Sequence, residues 1–240
     1  MFAIILAGGE GTRLRPLTYE IPKALIPVQG KTLTEQVLDL YKNIGINDFY
    51  LSISYLADQM TVYFGDGGKF GSNIEYLRED EPMGTAGPLI ILRQQGKIPA
   101  QDFCMCNGDN LFALDLAEMI NQHKKNKAVA TIALTKVEDP TQFGIAKLSG
   151  DKILEFIEKP ALADAPSRFA SSGYYILSPA IFDYLAEADF SMVERDLWPK
   201  IAADGRLFAY KSDAQWFDTG TPERYEQVER EWRGPIKLKA

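Results

Sequence analysis

Apolar residues along the chain alternate between the spacing of strands and the spacing of helices. Short apolar runs bounded by turn residues predict strands at residues 2–6, 48–54, 73–77, 102–106, 128–135 and 207–211. Apolar stripes at helical spacing predict helices at residues 32–44, 56–64, 84–95, 114–125, 179–185, 192–203 and 222–232. Because strands and helices alternate, the pattern predicts an α/β fold with a mostly parallel, twisted central sheet.

The pattern changes after residue 143. Residues 144–148 and 152–157 flank a Ser149-Gly150-Asp151 turn and predict a hairpin, and residues 172–177 predict a further strand. The closing helix has Thr221 as its predicted N-cap. No internal repeat or low-complexity linker divides the chain, so a single domain over residues 1–240 is expected.

Composition narrows the class of protein. The chain is 46% hydrophobic and 25% charged, which is ordinary for a globular domain. No apolar window is long enough to cross a membrane and the first residues lack a signal-peptide pattern, so a cytoplasmic protein without membrane contact is expected. A net charge of −7 argues against nucleic-acid binding, which leaves small molecules as the expected partners.

The two cysteines, Cys104 and Cys106, lie on one face of a predicted strand. They are too few and too close for a disulfide framework or a zinc site, so buried thiols are expected. The single histidine, His123, has no partner motif and falls on a polar helix face, so no role is assigned to it.

A glycine-rich turn follows the first strand, with Gly8, Gly9 and Gly11 within four residues. Glycines let backbone N–H groups approach an anion closely, and nearby Arg13 and Lys23 could bind phosphate oxygens. This combination predicts a triphosphate-binding loop. The pattern is neither the dinucleotide fingerprint nor the Walker loop, and the glycines alone fit a ligand-free turn equally well.

Two carboxylates have the character of metal ligands. Asp109 ends the predicted strand 102–106 in an N-G-D turn, where ligands of parallel sheets bind, and Asp218 lies in a W-F-D-T-G-T run. Taken alone, either aspartate is more often a turn residue than a ligand.

The run L-A-G-G-x-G-T-R-L-x-P-L-T at residues 6–18, followed by Pro22-Lys23, resembles the signature of the sugar-phosphate nucleotidylyltransferases. The match departs from the family at Ala24, where a second proline is usual. It continues through P-M-G-T-A-G-P-L at residues 82–89 and E-K-P at residues 158–160, and it covers residues 2–228. The resemblance implies a three-layer, Rossmann-like nucleotidyltransferase fold, with nucleotide binding by about residues 1–135 and sugar binding by about residues 136–232.

The resemblance also implies roles for individual residues. The implied nucleotide contacts are Leu6, Ala7, Gly8, Gly9, Gly11, Thr12, Arg13, Pro82, Gly84, Thr85 and Gly108. The implied sugar-phosphate contacts are Lys23, Gly144, Glu158, Lys159, Ser171, Ser172 and Gly173. The implied catalytic residues are Arg13, Lys23, Asp109 and Asp218, with Mg²⁺ bound by the two aspartates. Ser171 stands where the family often has asparagine, which leaves its sugar contact open.

The implied reaction joins a nucleoside triphosphate and a sugar 1-phosphate into a nucleotide sugar and releases pyrophosphate. Residues 82–89 and 175–180 look most like mannose-1-phosphate guanylyltransferases, which favours GTP and mannose 1-phosphate. The alternatives are UTP or dTTP with glucose 1-phosphate, and a heptose or amino-sugar phosphate. A non-catalytic regulatory homologue is a further alternative, and a homo-oligomer is compatible with the resemblance.

Overall fold

The computed structural model describes residues 1–236. Its strands are β1 Ala3–Leu6, β2 Pro27–Val28, β3 Lys31–Thr32, β4 Asp48–Ile53, β5 Asn73–Arg78, β6 Phe103–Asn107, β7 Asn110–Phe112, β8 Ala130–Lys136, β9 Gly144–Ser149, β10 Lys152–Glu158, β11 Phe169–Leu177, β12 Leu207–Lys211 and β13 Trp216–Asp218. Its α-helices are α1 Leu33–Lys42, α2 Ala57–Phe64, α3 Gly87–Gln94, α4 Leu116–Asn126, α5 Trp198–Ala203 and α6 Pro222–Glu231. The alternation of strands and helices confirms the α/β prediction.

Two predicted helices take other helical forms. Residues 179–185 contain a 3₁₀ helix, Pro179–Tyr184. The predicted helix 192–203 is a π-helical segment, Val193–Leu197, followed by α5, whose first turn holds Pro199. A proline is tolerated in a first turn, where its missing N–H would have no helical partner, so α5 begins just before it.

The chain divides into two compact units. Unit 1 comprises Met1–Glu81, Cys106–Leu116 and the chain from Ala214 onward, and unit 2 comprises Pro82–Met105 and Ala117–Asp213. Each unit is therefore built from separate stretches of sequence. The prediction that about residues 1–135 bind the nucleotide and about residues 136–232 bind the sugar divides the chain at a different position from these units. It stays a prediction.

Unit 1 contains a parallel sheet with the order β5-β4-β1. The register of β1 on β4 runs from Ala3 opposite Phe49 to Leu6 opposite Ser52. The strands are short and their inward residues are fully buried, as expected of parallel strands covered on both faces. This part of the structure has the predicted parallel pairing.

Unit 2 has a mixed sheet with the order β11-β8-β12-β10-β9. β12 pairs with β8 in parallel, while β11–β8, β12–β10 and β10–β9 are antiparallel. The expectation of a mostly parallel sheet therefore needs correction in unit 2. The predicted hairpin is confirmed as β9 and β10, whose tight turn makes the two strands antiparallel. The directions of β11 and β12 beside their neighbours depend on longer connections, which the spacing of apolar residues does not specify.

Large side chains fill the interior of each unit. In unit 2, Trp198 and Tyr175 are buried with ring centroids 5.3 Å apart. Cys104 and Cys106 are buried and are not joined in a disulfide, as predicted, and burial raises the pKa of Cys106 to about 12. Over residues 1–236, no helix has the length and apolar character needed to cross a lipid bilayer.

Candidate active site

The glycine-rich loop of unit 1 is shaped by close backbone contacts. A Cβ at Gly8 would lie 3.0 Å from the backbone nitrogen of Ser54, and Gly11 has a φ of 60°. A side chain is therefore disfavoured at both positions. The loop leads into a 3₁₀ helix, Thr12–Leu14, which leaves Arg13 exposed to solvent.

The strand ends beside this loop are also closely packed. The backbone N–H of Gly108 donates to the carbonyl of Leu6 at 2.9 Å, and a Cβ on Gly108 would lie 2.8 Å from that carbonyl oxygen. The N–H of Ala7 donates to Ser52 at 2.8 Å. Of the remaining loop residues, Gly9 and Thr12 are exposed. The loop thus presents exposed backbone at the carboxyl end of β1.

Lys23 and Asp109 form an ion pair inside unit 1. The Nζ atom of Lys23 lies 2.6 Å from Oδ2 of Asp109, and the lysine side chain is 9% exposed. A Cβ at Gly11 would lie 3.1 Å from Cβ of Lys23, so the glycine-rich loop passes directly over the lysine. The structure brings these three predicted site residues together.

Asp218 lies in the same part of unit 1. It pairs with Asn110 across the antiparallel ladder of β13 and β7, and the hydroxyl of Thr219 donates to the carbonyl of Asp109 at 2.8 Å. A Cβ at Gly220 would lie 2.8 Å from both Arg13 Nη2 and Asp218 Oδ1. The two aspartates and Arg13 therefore gather around one short segment.

Arg224 is a member of this group that the sequence patterns missed. Its guanidinium donates to Oδ2 of Asp218, and its backbone N–H donates to the hydroxyl of Thr221, the predicted N-cap of α6. The cap fixes the first turn of α6 and so directs Arg224 toward the aspartate. We call Arg13, Lys23, Asp109, Asp218 and Arg224 the charged cluster.

Asp109 and Asp218 are the residues of the charged cluster that could hold a magnesium ion. Asp109 and Asp218 are neighbours, and each is already paired with a cation, Lys23 or Arg224. Within residues 1–236, no three or more His, Cys, Asp and Glu side chains form a group that could hold a metal. Two carboxylates suit Mg²⁺, which commonly completes its shell with phosphate oxygens and water.

The predicted nucleotide segment of unit 2 is held by a neighbouring segment. Gly84 has a φ of 77°, and a Cβ there would lie 2.3 Å from the carbonyl oxygen of Ser191. The hydroxyl of Thr85 donates to the carboxylate of Glu194 at 2.5 Å, and Pro82 is exposed. The Thr85 hydroxyl therefore donates its proton to another residue of the protein, Glu194.

The hairpin end of unit 2 carries a second group of charges. A Cβ on Gly144 would lie 2.7 Å from Oε2 of Glu158, so the glycine leaves room for that carboxylate. Burial raises the pKa of Glu158, and the charges of Lys159 and Arg195 partly offset the shift. Lys159 is exposed and has a φ of 48°, an uncommon conformation for a residue other than glycine.

The predicted sugar-contact residues on β11 lie at a bulge. The register with β8 shifts between Ser171 and Tyr175, and Gly173 has a φ of 79°. Ser172 is fully buried and donates its hydroxyl to the carbonyl of Ala133 at 2.8 Å. The bulge thus turns the Ser172 hydroxyl into the interior, while Ser171 keeps partial exposure.

His123 is not on a polar surface, which corrects the expectation from sequence. It is 1% exposed, and its Nδ1 atom lies 2.9 Å from the hydroxyl of Thr131. Its Nε2 atom lies 3.9 Å from Asp102, and burial lowers the histidine pKa below its ordinary value.

Comparisons with known proteins bear on this geometry. The family described as "Nucleotidyl transferase" matches residues 2–233. The chain belongs to the nucleotidyl transferase family. It is 34% identical over 226 residues to the mannose-1-phosphate guanylyltransferase of Mycobacterium tuberculosis, over 93% of this chain and 62% of the relative. It is also 34% identical over 243 residues to the UTP–glucose-1-phosphate uridylyltransferase of Synechocystis, over 96% of this chain and 63% of the relative.

The chain thus spans a little under two thirds of each of these nucleotidyl transferases. A solved structure of HddC from Yersinia pseudotuberculosis, complexed with GMP-PN, superimposes with a TM-score of 0.80 at 27% identity. The match covers 97% of this chain and 100% of that chain. This likeness confirms the predicted Rossmann-like fold for the family member described here.

Proposed function

We propose that the protein is a sugar-1-phosphate nucleotidylyltransferase. An oxygen of the sugar 1-phosphate attacks the α-phosphorus of a nucleoside triphosphate, the bond from that phosphorus to the β-phosphate oxygen breaks, and pyrophosphate leaves. Such a transfer needs positioned charges and no covalent enzyme intermediate. The observation that carries the proposal is the gathering of Arg13, Lys23, Asp109 and Asp218 beside the glycine-rich loop.

In unit 1, the exposed loop backbone would bind the triphosphate, and Arg13 would stabilise the charge that develops on its oxygens. Lys23, already placed against Asp109, would supply a compact positive charge to phosphate. Mg²⁺ held by Asp109 and Asp218 would offset the negative charge of the phosphate oxygens. Arg224 would keep the Asp218 carboxylate oriented.

In unit 2, Glu158 would accept hydrogen bonds from sugar hydroxyls, in the space left by Gly144. Lys159 would bind the phosphate of the sugar. Ser171 and the backbone at Gly173 would line the sugar site, while Ser172 would shape the bulge through its bond to Ala133.

For specificity we propose GTP with mannose 1-phosphate. The guanine edge offers an N1–H and an amino group as donors, and the carbonyls of residues 82–84 are candidate acceptors. The carbonyl of Gly84 accepts the backbone N–H of Gly87 at 2.9 Å, and a carbonyl oxygen can accept two hydrogen bonds. A base without these donors cannot pair with the carbonyl acceptors and is disfavoured. The guanylyltransferase relative and the neighbour solved with GMP-PN support this choice.

Uridylyl transfer to glucose 1-phosphate is the second candidate, because the Synechocystis relative is equally identical to this chain. A non-catalytic regulatory homologue is disfavoured, because it would have no need to retain both aspartates and both lysines. Release of pyrophosphate from a mixture of the protein, Mg²⁺, a triphosphate and a sugar 1-phosphate distinguishes an enzyme from such a homologue.

The same assay tests the assigned residues. Arg13→Ala and Asp218→Ala should each lower turnover by about a hundredfold or more, because each removes a preorganised charge. Arg230→Met is the control, since Arg230 lies on α6 with its side chain 66% exposed. Near-full turnover by either alanine variant would refute the assignment.

Specificity is tested by a matrix of substrates. GTP, ATP, UTP and dTTP are each combined with mannose, glucose, heptose and N-acetylamino-sugar 1-phosphates, and kcat/KM is measured for every pair. The highest value is expected for GTP with mannose 1-phosphate. A clear preference for UTP or dTTP would overturn the GTP assignment and leave nucleotidylyl transfer intact.

A further inference from the structure

Two segments of unit 2 that are distant in sequence are joined by their backbones. The N–H of Ser191 donates to the carbonyl of Met83 at 3.0 Å, and the N–H of Ala86 donates to the carbonyl of Ser191 at 3.0 Å. Between these bonds, Gly84 approaches Ser191 so closely that any Cβ would collide with its carbonyl. The turn formed by residues 82–86, which we call the recognition turn, is thus shaped by the segment that begins at Ser191.

Side chains strengthen this junction at Thr85. Its hydroxyl donates to Glu194 at 2.5 Å and accepts the backbone N–H of Val193 at 2.9 Å. A hydroxyl has a single proton, and here the proton is directed to Glu194. Through these two hydrogen bonds, Thr85 ties the recognition turn to residues 193 and 194.

Placing the Glu194 carboxylate in a partly buried position has a desolvation cost, so packing alone does not explain this residue. It lies in the π-helical segment Val193–Leu197, and π-helices are rare and frequently occur at functional sites. Burial raises its pKa, and the hydrogen bond from Thr85 opposes that shift. Glu158 and Lys159 are close enough to act on it electrostatically. Because burying a carboxylate has a desolvation cost, the partly buried Glu194 is explained by the geometry it imposes on Thr85 and not by a gain in stability.

We propose that Glu194 is a positioning residue, which fixes the recognition turn through Thr85 and thereby sets the affinity and base selectivity for the triphosphate. This inference rests on the proposed function. Glu194 neither touches the nucleotide nor takes part in the transfer of the nucleotidyl group. Its effect reaches the nucleotide through the backbone of the recognition turn.

The primary test compares Thr85→Val with Thr85→Ser. Valine keeps the volume of threonine and removes the hydroxyl, while serine restores it. Dissociation constants for GTP and UTP are measured by calorimetry, together with kcat and KM. Thr85→Val should weaken GTP binding about tenfold, as expected for losing a hydrogen bond to a charged group. It should also bring the GTP and UTP affinities closer together and raise KM by more than it lowers kcat, and Thr85→Ser should restore both affinities.

Glu194→Asp provides a second variant if Thr85→Val fails to fold, because it keeps the charge and shortens the reach by one methylene. Weaker GTP binding by this variant supports the inference. Glu155→Gln is the control, since Glu155 is an exposed carboxylate of β10 paired with Lys147. It should bind like the wild type.

The outcomes separate the two proposals. If the wild type binds and turns over triphosphate and the folded Thr85 and Glu194 variants bind it equally well, the positioning role is overturned and the proposed function stands. If Thr85→Ser loses as much GTP affinity as Thr85→Val, the positioning role is also overturned. If the wild type binds no triphosphate, both proposals are overturned.

Discussion

At the scale of single residues, the charged cluster of unit 1 depends on the pairing of two short strands. Asp109 and Asp218 belong to distinctive short runs, and the antiparallel pairing of β7 with β13 brings those runs together. Arg224 was not predicted, because its contact with Asp218 depends on the direction of the first turn of α6. Glu194 was missed because its contact with Thr85 spans 109 positions in the chain, and no spacing rule links such residues.

The spacing of apolar residues along α4 indicates that His123 is buried, but its polar neighbours in the sequence led to the opposite prediction. Leu116, Met119, Ile120 and His123 follow the spacing of one helix face, and all four are buried. The adjacent Lys124 and Lys125 are exposed, and their charges led to the prediction of a polar face. The histidine lies on the apolar stripe of α4, where Thr131 provides its hydrogen bond.

We predict that His123 makes stability depend on pH. Burial lowers its pKa, Asp102 opposes the shift and Lys124 adds to it. The unfolded chain therefore binds a proton that the folded protein resists, so the free energy of unfolding should fall as the pH drops below about 6.5. Urea unfolding at a series of pH values measures this slope.

His123→Gln should remove that component of the slope. The chain has one histidine, and the raised pKa values of Glu158 and Glu194 contribute with the opposite sign, so the difference between wild type and variant isolates His123. Equal slopes for the two proteins below pH 6.5 would contradict the prediction.

At the scale of elements, the spacing of apolar residues predicted most of the strands and helices. The predicted strand 207–211 coincides with β12, and the predicted N-cap of α6 is the observed one. Apart from the predicted β9–β10 hairpin, strand direction in unit 2 was not predictable from the spacing of apolar residues, because parallel and antiparallel strands share the same alternation. The bulge at Ser171 to Tyr175 also escaped prediction, since it depends on pairing with β8.

Helix α1 provides a test at this scale. The hydroxyl of Thr32 accepts the N–H of Glu35 at 3.2 Å, and the Glu35 carboxylate accepts the N–H of Thr32 at 2.7 Å, which together form a capping box. Thr32→Ala should lower the free energy of unfolding by about 1 kcal/mol, measured by urea denaturation.

Thr32→Ser is the matched control, because serine retains the capping oxygen. It should stay within about 0.5 kcal/mol of the wild type. A loss as large as that in Thr32→Ala would show that the threonine methyl group, and not the cap, stabilises this position.

At the scale of the whole molecule, the sequence indicated the fold family and not the way the chain divides. Each compact unit combines distant stretches, with the chain returning to unit 1 at Cys106 and again at Ala214. Such a division follows from tertiary contacts, and a composition without linkers gives no sign of it. The order of motifs still predicted the family, because the family signature extends along nearly the whole chain.

The central claim is that the protein joins a nucleoside monophosphate group to a sugar phosphate. The most direct measurement is ³¹P nuclear magnetic resonance of a mixture of the protein, Mg²⁺, GTP and mannose 1-phosphate followed over time. We predict that the signals of GDP-mannose and pyrophosphate grow together in equal amounts, and that neither grows when mannose 1-phosphate is omitted. Triphosphate consumed without any nucleotide sugar, for this pair and for the alternative substrates, would contradict the claim.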